Sequence, residues 1–193
     1  MSSASPSRAD VAAALRAVLL EPEAAAALDV HGRTDAAVLV PLFLRDGGLH
    51  AVLTRRRGDL RRHAGEVSFP GGRQDAGEDL LTTALREAEE EVGLPREAVE
   101  VVGALQPTPT IATGYAVYPF VGLIEPGHAW VPSASEVDEV LELSFDELRA
   151  GAARRRLVRR GIPFRTDTYV VGDHLVWGAT ARILGDLLAR VPS

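Results

Sequence analysis

The sequence predicts an α/β fold in which a mixed β-sheet is packed between helices, an α/β/α sandwich. One observation is the apolar run at 36–44, which is followed by the hairpin turn Asp46-Gly47-Gly48 and a returning strand at 49–54. Another is a pair of stretches, 81–92 and 173–191, whose apolar residues recur every three to four positions, as in amphipathic helices. Strands arranged around two substantial helices favour a sheet that is covered on both faces.

The remaining elements follow in chain order. We expect a frayed terminus at about 1–9 and a helical extension at about 10–30, in which Asp10 caps a helix that ends at Pro22. Further strands are predicted at 99–105, 115–124, 140–143 and 165–171. The whole chain, residues 1–193, is expected to form a single domain.

Local signals mark the irregular points of these elements. Because proline cannot donate a ladder hydrogen bond, Pro41 should lie at a sheet edge or bulge, and Pro119 should interrupt its strand. Gly93 should end the helix at 81–92, since glycine is the preferred residue just after a helix. Asp75, with Glu78 three residues later, predicts a capping box at the start of that helix.

The composition excludes several kinds of chemistry. The chain has no cysteine and no lysine, so all 21 basic residues are arginine. This rules out disulfides, thiolate zinc sites, cysteine nucleophiles, Schiff-base lysines and the lysine of a P-loop. A net charge of −6 opposes a nucleic-acid or membrane-surface partner. Without a long apolar run or a signal-peptide pattern, the protein is expected in the cytoplasm, and the sequence does not indicate its oligomeric state.

The helix at 81–92 carries charges that helix physics disfavours. Glu87, Glu90 and Glu91 share a face near its C-terminus, with Glu89 beside them. Like charges at these spacings cost about 0.2–0.5 kcal/mol per pair, and the helix dipole adds about 0.3–1 kcal/mol for each carboxylate near this end. A cost without local gain indicates a functional site, and clustered carboxylates suit Mg²⁺ or Mn²⁺. The alternative is a solvated, glutamate-rich face.

Arginines are concentrated in two parts of the chain. Arg55, Arg56, Arg57, Arg61 and Arg62 precede the tight turn Phe69-Pro70-Gly71-Gly72, where the backbone can approach a metal or phosphate closely. Arginine pairs with phosphate through two parallel hydrogen bonds, so this stretch suits a polyanionic substrate, although a solvated basic loop has the same composition. The second group, Arg154, Arg155, Arg156, Arg159 and Arg160, is either a solvated loop or helix face or a contact to an extra substrate phosphate.

Two motifs in this region resemble those of a known family. The spacing of Gly72, Glu78, Arg86-Glu87-Ala88, Glu90-Glu91 and Gly93-Leu94 resembles the Nudix box at every defined position. Leu53-Thr54, Arg56, Arg61, Gly65 and Phe69-Pro70-Gly71-Gly72 are similar in spacing to a motif upstream of the box in the coenzyme A pyrophosphatase branch of Nudix hydrolases. Arg57 departs from that motif, which usually has a small residue there. The resemblance spans about 53–94 and implies a Nudix-type α/β/α fold.

The resemblance implies a hydrolase that uses Mg²⁺ or Mn²⁺. Glu87 and Glu91, one turn apart on one face, are the predicted principal metal ligands, and Glu90 is a third ligand or orients the attacking water. All three are therefore candidate catalytic residues. The Gly71 carbonyl is expected to complete the metal shell, as in related enzymes. A structural role is expected for Glu78, Arg86 and Gly93, the first two as an ion pair that holds the helix against the preceding loop.

The base and the substrate are less closely defined. Nudix enzymes often recruit a general base from a loop outside the box, and the candidates here are Glu136 and Glu139. Substrate contacts are expected from Arg56, Arg61, His63, Phe69 and Gly72. The implied substrate is coenzyme A or acyl-CoA, split into 3′,5′-ADP and 4′-phosphopantetheine or its acyl form. The alternatives are an ADP-ribose or NADH pyrophosphatase, and a sensor that binds a nucleotide without cleaving it.

Overall fold

The computed structural model describes residues 6–58, 65–110, 114–159 and 161–191. The strands are β1 (Thr34–Arg45), β2 (Gly48–Arg56), β3 (Val67–Ser68), β4 (Gly71–Arg73), β5 (Glu100–Ala104), β6 (Thr108–Pro109), β7 (Tyr115–Leu123), β8 (Val137–Ser144), β9 (Ala152–Arg159), β10 (Ile162–Val171) and β11 (His174–Val176). The α-helices are α1 (Arg8–Val18), α2 (Pro22–Ala26), α3 (Leu80–Val92), α4 (Phe145–Ala150) and α5 (Gly178–Arg190). None of the helices within these ranges is long and apolar enough to cross a membrane.

The larger sheet is mixed and is built around β1. Its order is β3-β2-β1-β7-β5, with β4 also paired to β1, β6 to β7 and β8 to β2. β1 and β7 run parallel, whereas the other neighbours run antiparallel. Asp46 and Gly47 both have positive φ, at 52° and 79°, which is the type I′ geometry of a two-residue hairpin.

Helices cover both faces of this sheet. On one face, Ala84 and Ala88 of α3 are buried in a cluster with Leu39 and Val52. On the other face, apolar side chains of α1, α4 and α5 join the next residues along the same strands in a second cluster that includes Leu15, Leu148, Leu184, Val40 and Leu53. The alternation of neighbouring strand residues between the two clusters follows from the two-residue period of a strand. The predicted α/β/α sandwich is confirmed.

The prediction for the two strand prolines was wrong. Pro41 lies inside β1, between residues 36–38, which pair with β4, and residues 42–45, which pair with β2. Pro119 likewise lies inside an unbroken β7, between the residues paired with β6 and those paired with β5. Each proline therefore occupies the point where its strand changes antiparallel partner, so its missing N–H removes no ladder hydrogen bond.

Two helix starts differ from the prediction. The N-cap of α1 is Ser7, and Asp10 is the third helical residue of a reciprocal capping box with it. The N-cap of α3 is Asp79, whose carboxylate accepts a hydrogen bond from the Thr82 N–H at 2.9 Å. The predicted Asp75–Glu78 box was wrong because the Glu78 carboxylate is taken by other partners in the site described below.

The C-terminal part contains a second sheet that the sequence analysis missed. β9, β10 and β11 form an antiparallel sheet in the order β11-β10-β9. The basic group at 154–160 was predicted to be a loop or helix face, but residues 152–159 form β9. The final helix begins at Gly178 and not at 173, because residues 174–176 pair with β10.

Candidate active site

The buried carboxylate of Glu91 is the centre of the candidate site. Glu91 lies near the C-terminal end of α3 and is only 4% exposed. The Gly71 N–H donates a hydrogen bond to its Oε2 at 3.3 Å, and the Arg56 guanidinium lies 3.5 Å from its Oε1. Burial raises the pKa of Glu91 to about 8, although Arg56 and the Gly71 N–H oppose that rise. A carboxylate held in this way is poised to take a cation.

Glu87 lies one turn earlier on the same face and packs against the glycine turn. Burial raises its pKa, and the adjacent Arg86 guanidinium acts in the opposite direction. A Cβ at Gly72 would collide with the Glu87 carboxylate, so only glycine leaves this carboxylate in its place. Gly72 therefore contacts a predicted metal ligand, and its predicted contact with substrate stays a prediction.

Arg86 joins the carboxylates at the outer side of α3. Its guanidinium donates to Glu78 at 3.0 and 3.1 Å, to Glu87 at 2.9 Å and to Glu90 at 3.2 Å. It also reaches the Arg73 carbonyl at 3.4 Å, on β4. The arginine holds the pKa of Glu78 below its usual range, with a further hydrogen bond from Thr83. This network ties the helix to the preceding loop and holds three carboxylates, those of Glu78, Glu87 and Glu90, on one guanidinium.

Arg56 brings a strand and a loop outside the box to the same place. It ends β2, and its guanidinium lies 3.5 Å from Glu91 and 3.4 Å from Glu136. The charge of Glu136 raises the pKa of both Glu91 and Glu87. Glu139, the other candidate base, instead pairs with Arg55 at 3.1 Å. Of the two, Glu136 is the one that the fold brings to the carboxylates.

The other predicted site residues have varied positions. Phe69 is 2% exposed and packs in the core on the α5 side of the sheet, a position that opposes the predicted contact with substrate. Gly93 ends α3 with φ 71°, and its N–H returns to the carbonyls of Ala88 and Glu89. Arg61 and His63 lie outside the described residues. The sequence analysis did not find the link from Arg56 to Glu136, because nothing in the spacing of residues 80 apart indicates it.

The donor set suits a hard divalent cation. Glu87, Glu90 and Glu91 supply carboxylate oxygens on one helix face, and the Gly71 N–H points to Glu91 and not to β1. Because the N–H and C=O of one residue in an antiparallel strand lie on the same side, the Gly71 carbonyl is directed toward the helix as well. Among the described residues, no three His, Cys, Asp or Glu side chains are grouped closely enough to hold a metal ion. Oxygen donors without sulfur or imidazole favour Mg²⁺ or Mn²⁺.

The chain is similar to known proteins both in sequence and in fold. The family model described as "NUDIX domain" matches residues 33–161. Two relatives are both named "Uncharacterized Nudix hydrolase NudL": that of Photorhabdus laumondii is 40% identical over 159 residues, and that of Citrobacter koseri is 42% identical over 163 residues. These matches cover 81% and 82% of this chain and 84% and 83% of the relatives. A solved binary complex of a C. elegans Ap4A hydrolase has a TM-score of 0.50 at 19% identity, covering 58% of this chain and 81% of that one, which shows a shared fold.

Proposed function

Because the chain belongs to the Nudix hydrolase family, we propose that it cleaves the diphosphate bond of coenzyme A or acyl-CoA. The products are 3′,5′-ADP and 4′-phosphopantetheine or its acyl form. Membership makes the chain a hydrolase, and Nudix hydrolases generally use divalent metal ions. The choice of substrate and the roles of individual residues are our proposal.

The proposed metal site is formed by the carboxylates of Glu87, Glu90 and Glu91 and the carbonyl of Gly71. Mg²⁺ or Mn²⁺ bound there neutralises charge on the diphosphate and makes a water more acidic. The burial of Glu91 and the close packing of Glu87 on Gly72 hold two of these oxygens in place before a ligand arrives. Arg86 keeps Glu87 oriented from the side, while Glu78 anchors Arg86.

Glu136 is the proposed general base. It lies in the loop before β8 and is paired with Arg56 at 3.4 Å, next to Glu91. Its exposed position lets it exchange a proton with solvent after it accepts one from the attacking water. Arg56 is proposed to shift between these carboxylates and a substrate phosphate, because a guanidinium can bind either through paired hydrogen bonds.

The observation that carries the substrate proposal is the contact of Arg56 with both Glu91 and Glu136. Arg56 belongs to the motif that resembles the coenzyme A branch, and Glu91 belongs to the box. The upstream motif is therefore part of the same site as the box and can contribute to substrate choice there. An acidic chain with arginines concentrated at 55–62 and 154–160 also suits a polyanionic small molecule better than nucleic acid or a membrane.

The test is a parallel incubation of the purified protein with coenzyme A, ADP-ribose and NADH, each with Mg²⁺ or Mn²⁺, with products identified by mass. Release of 3′,5′-ADP from coenzyme A, well ahead of the other two reactions, is expected. Preferred cleavage of ADP-ribose or NADH would leave the metal site in place and refute the substrate. Binding of all three without turnover would indicate a sensor, which the intact set of box carboxylates opposes.

A further inference from the structure

The β9–β10 hairpin is a basic element in an acidic chain. Residues 152–171 contain six arginines and one aspartate, while the whole chain has a net charge of −6. Successive residues of β9 project to opposite sides, so Arg155, Leu157 and Arg159 share one face, and Arg154 and Arg156 share the other. The hairpin therefore sorts its arginines into two sets with different surroundings.

Arg159 has a defined position on its face. Its guanidinium carbon lies 5.2 Å from the centroid of the Trp177 ring, and its Nη2 lies 3.8 Å from a carboxylate oxygen of Glu66. The Phe164 ring packs on the same indole at 6.0 Å between centroids. Arg156, on the opposite face, makes no ion pair or ring contact with any residue in the described ranges. Cation–π stacking and the ion pair together orient the Arg159 guanidinium.

This position is close to the candidate active site. The Arg56 N–H donates to the Glu66 carbonyl at 3.0 Å, so Glu66 lies beside Arg56 across one strand spacing of about 4.8 Å. Arg159 is thus connected to the site through two neighbours, Glu66 and then Arg56, which contacts Glu91. The Arg159 guanidinium therefore lies next to a residue that is hydrogen-bonded to the backbone of Arg56.

A cavity at this point has room for part of a ligand. It has a volume of about 340 Å³, and its lining includes Glu66 and Trp177, the two partners of Arg159, together with Arg55, Asp173 and His174. Its size lies at the lower end of the range of about 300–1,000 Å³ for small-molecule sites. Arg159 therefore contacts two of the residues that line this cavity.

Within the described ranges, no hydrogen bond occupies the N–H groups of the Arg159 guanidinium. Its separation of 3.8 Å from Glu66 exceeds the upper limit of about 3.2 Å for an N–H···O hydrogen bond, so the pair attracts without using the donors. Guanidinium binds a phosphate through two parallel hydrogen bonds. We propose that Arg159 binds the phosphomonoester on the nucleoside half of the substrate, which for coenzyme A is the 3′-phosphate. The identity of this ligand rests on the proposed function.

The test is calorimetric titration of the full-length protein with adenosine 3′,5′-bisphosphate and with 5′-AMP. A hydrogen-bonded charge pair is worth about 1.5–3 kcal/mol, so the wild-type protein should bind the bisphosphate about 10- to 100-fold more tightly. Arg159→Ala should bring the two affinities within about twofold, since each factor of two is only about 0.4 kcal/mol. Arg156→Ala, on the same strand but the opposite face, is the matched control and should keep the wild-type ratio. Arg159→Lys retains the charge and most of the packing and should keep part of the preference.

Three results would overturn the inference. They are an unchanged ratio in Arg159→Ala and Arg159→Lys, an equal loss of the ratio in Arg156→Ala, or no preference for the bisphosphate in the wild type. A general electrostatic field would produce the second result, because both arginines contribute to it. Failure of the proposed function gives a different result. In that case the protein does not cleave coenzyme A, although its preference for the bisphosphate still depends on Arg159.

Discussion

The two arginines of the candidate site illustrate two ways of holding a carboxylate. Arg86 is on the same helix as Glu87 and Glu90, and its third partner, Glu78, is just before that helix. Arg56 instead joins Glu91 to Glu136, from a strand and a loop distant in sequence. The local half of the site, Arg86 with its partners, is fixed by helix geometry. The distant half, Arg56 with Glu91 and Glu136, depends on the pairing of β2 with β8. This difference predicts that the local half stabilises the folded site, whereas the distant half binds the substrate and takes part in its cleavage.

The largest expected effect is the loss of turnover when a carboxylate of α3 is replaced. Glu91→Gln and Glu87→Gln should each lower kcat by at least about 100-fold, since even outer-shell partners of a metal cost about 10- to 100-fold. Initial rates with saturating Mg²⁺ would measure this. Glu89→Gln is the matched control, because Glu89 is exposed and pairs with Arg96 at 3.0 Å. Full metal-dependent turnover in either of the first two variants would show that the ligands are wrongly assigned.

The pH dependence of stability separates Glu91 from Glu78, the carboxylate that anchors Arg86. Burial raises the pKa of Glu91 from 4.5 to about 8. Between these values the unfolded chain has lost a proton that the folded protein keeps, so this contribution is fully present below pH 4.5 and is lost as the pH rises to about 8. At about 1.36 kcal/mol per pKa unit, the free energy of unfolding should fall by on the order of 1–4 kcal/mol. Glu78 has a lowered pKa, so its contribution is lost only at pH values below this window.

Urea unfolding at pH 5 and pH 8, in the presence of EDTA, measures this dependence. Glu91→Gln removes the titrating group, so its free energy of unfolding should change much less between the two pH values. At pH 8 this variant should be more stable than the wild type, although it is less active. An equal dependence on pH in both proteins would mean that Glu91 is not the group responsible.

Removing each arginine compares the two halves directly. Arg86→Ala should lower the free energy of unfolding by about 1–3 kcal/mol, since it leaves the largely buried carboxylates of Glu78 and Glu87 without their cation. Arg56→Ala should have the smaller effect on stability and the larger effect on kcat/KM. Arg16→Ala breaks an exposed pair with Glu100 and should change neither. If Arg86→Ala and Arg56→Ala affected stability equally, the proposed division between the two halves would fail.

The smallest effect concerns the start of α3. Asp79→Ala should cost about 1 kcal/mol of stability, because it removes the side chain that caps the helix. Asp75→Ala, which would have removed the cap predicted from sequence, should cost less, since Asp75 is largely exposed and lies 3.7 Å from Arg86. Thermal melts of the two variants would measure the difference. A larger loss of stability in Asp75→Ala than in Asp79→Ala would show that the helix is capped at Asp75 and not at Asp79.

The accuracy of the sequence analysis followed the same division between local and distant interactions. The face shared by Glu87, Glu90 and Glu91 and the helix end at Gly93 depend on helix periodicity, which is visible in the sequence. The partner changes at Pro41 and Pro119 depend on sheet order, which is not. The second sheet was missed because the arginines of β9 give a charge pattern and no apolar alternation.

Arg56 and Glu136 are proposed to act together with the helix carboxylates as one site. A double-mutant cycle on kcat/KM for the cleaved substrate, with Arg56→Ala, Glu136→Gln and the double variant, tests it most directly. Residues in one ion-pair network couple by about 0.5–3 kcal/mol, so the double variant should lose about 2- to 100-fold less than the product of the single losses. Losses that multiply independently, or a Glu136→Gln variant with wild-type kcat/KM, would contradict the account.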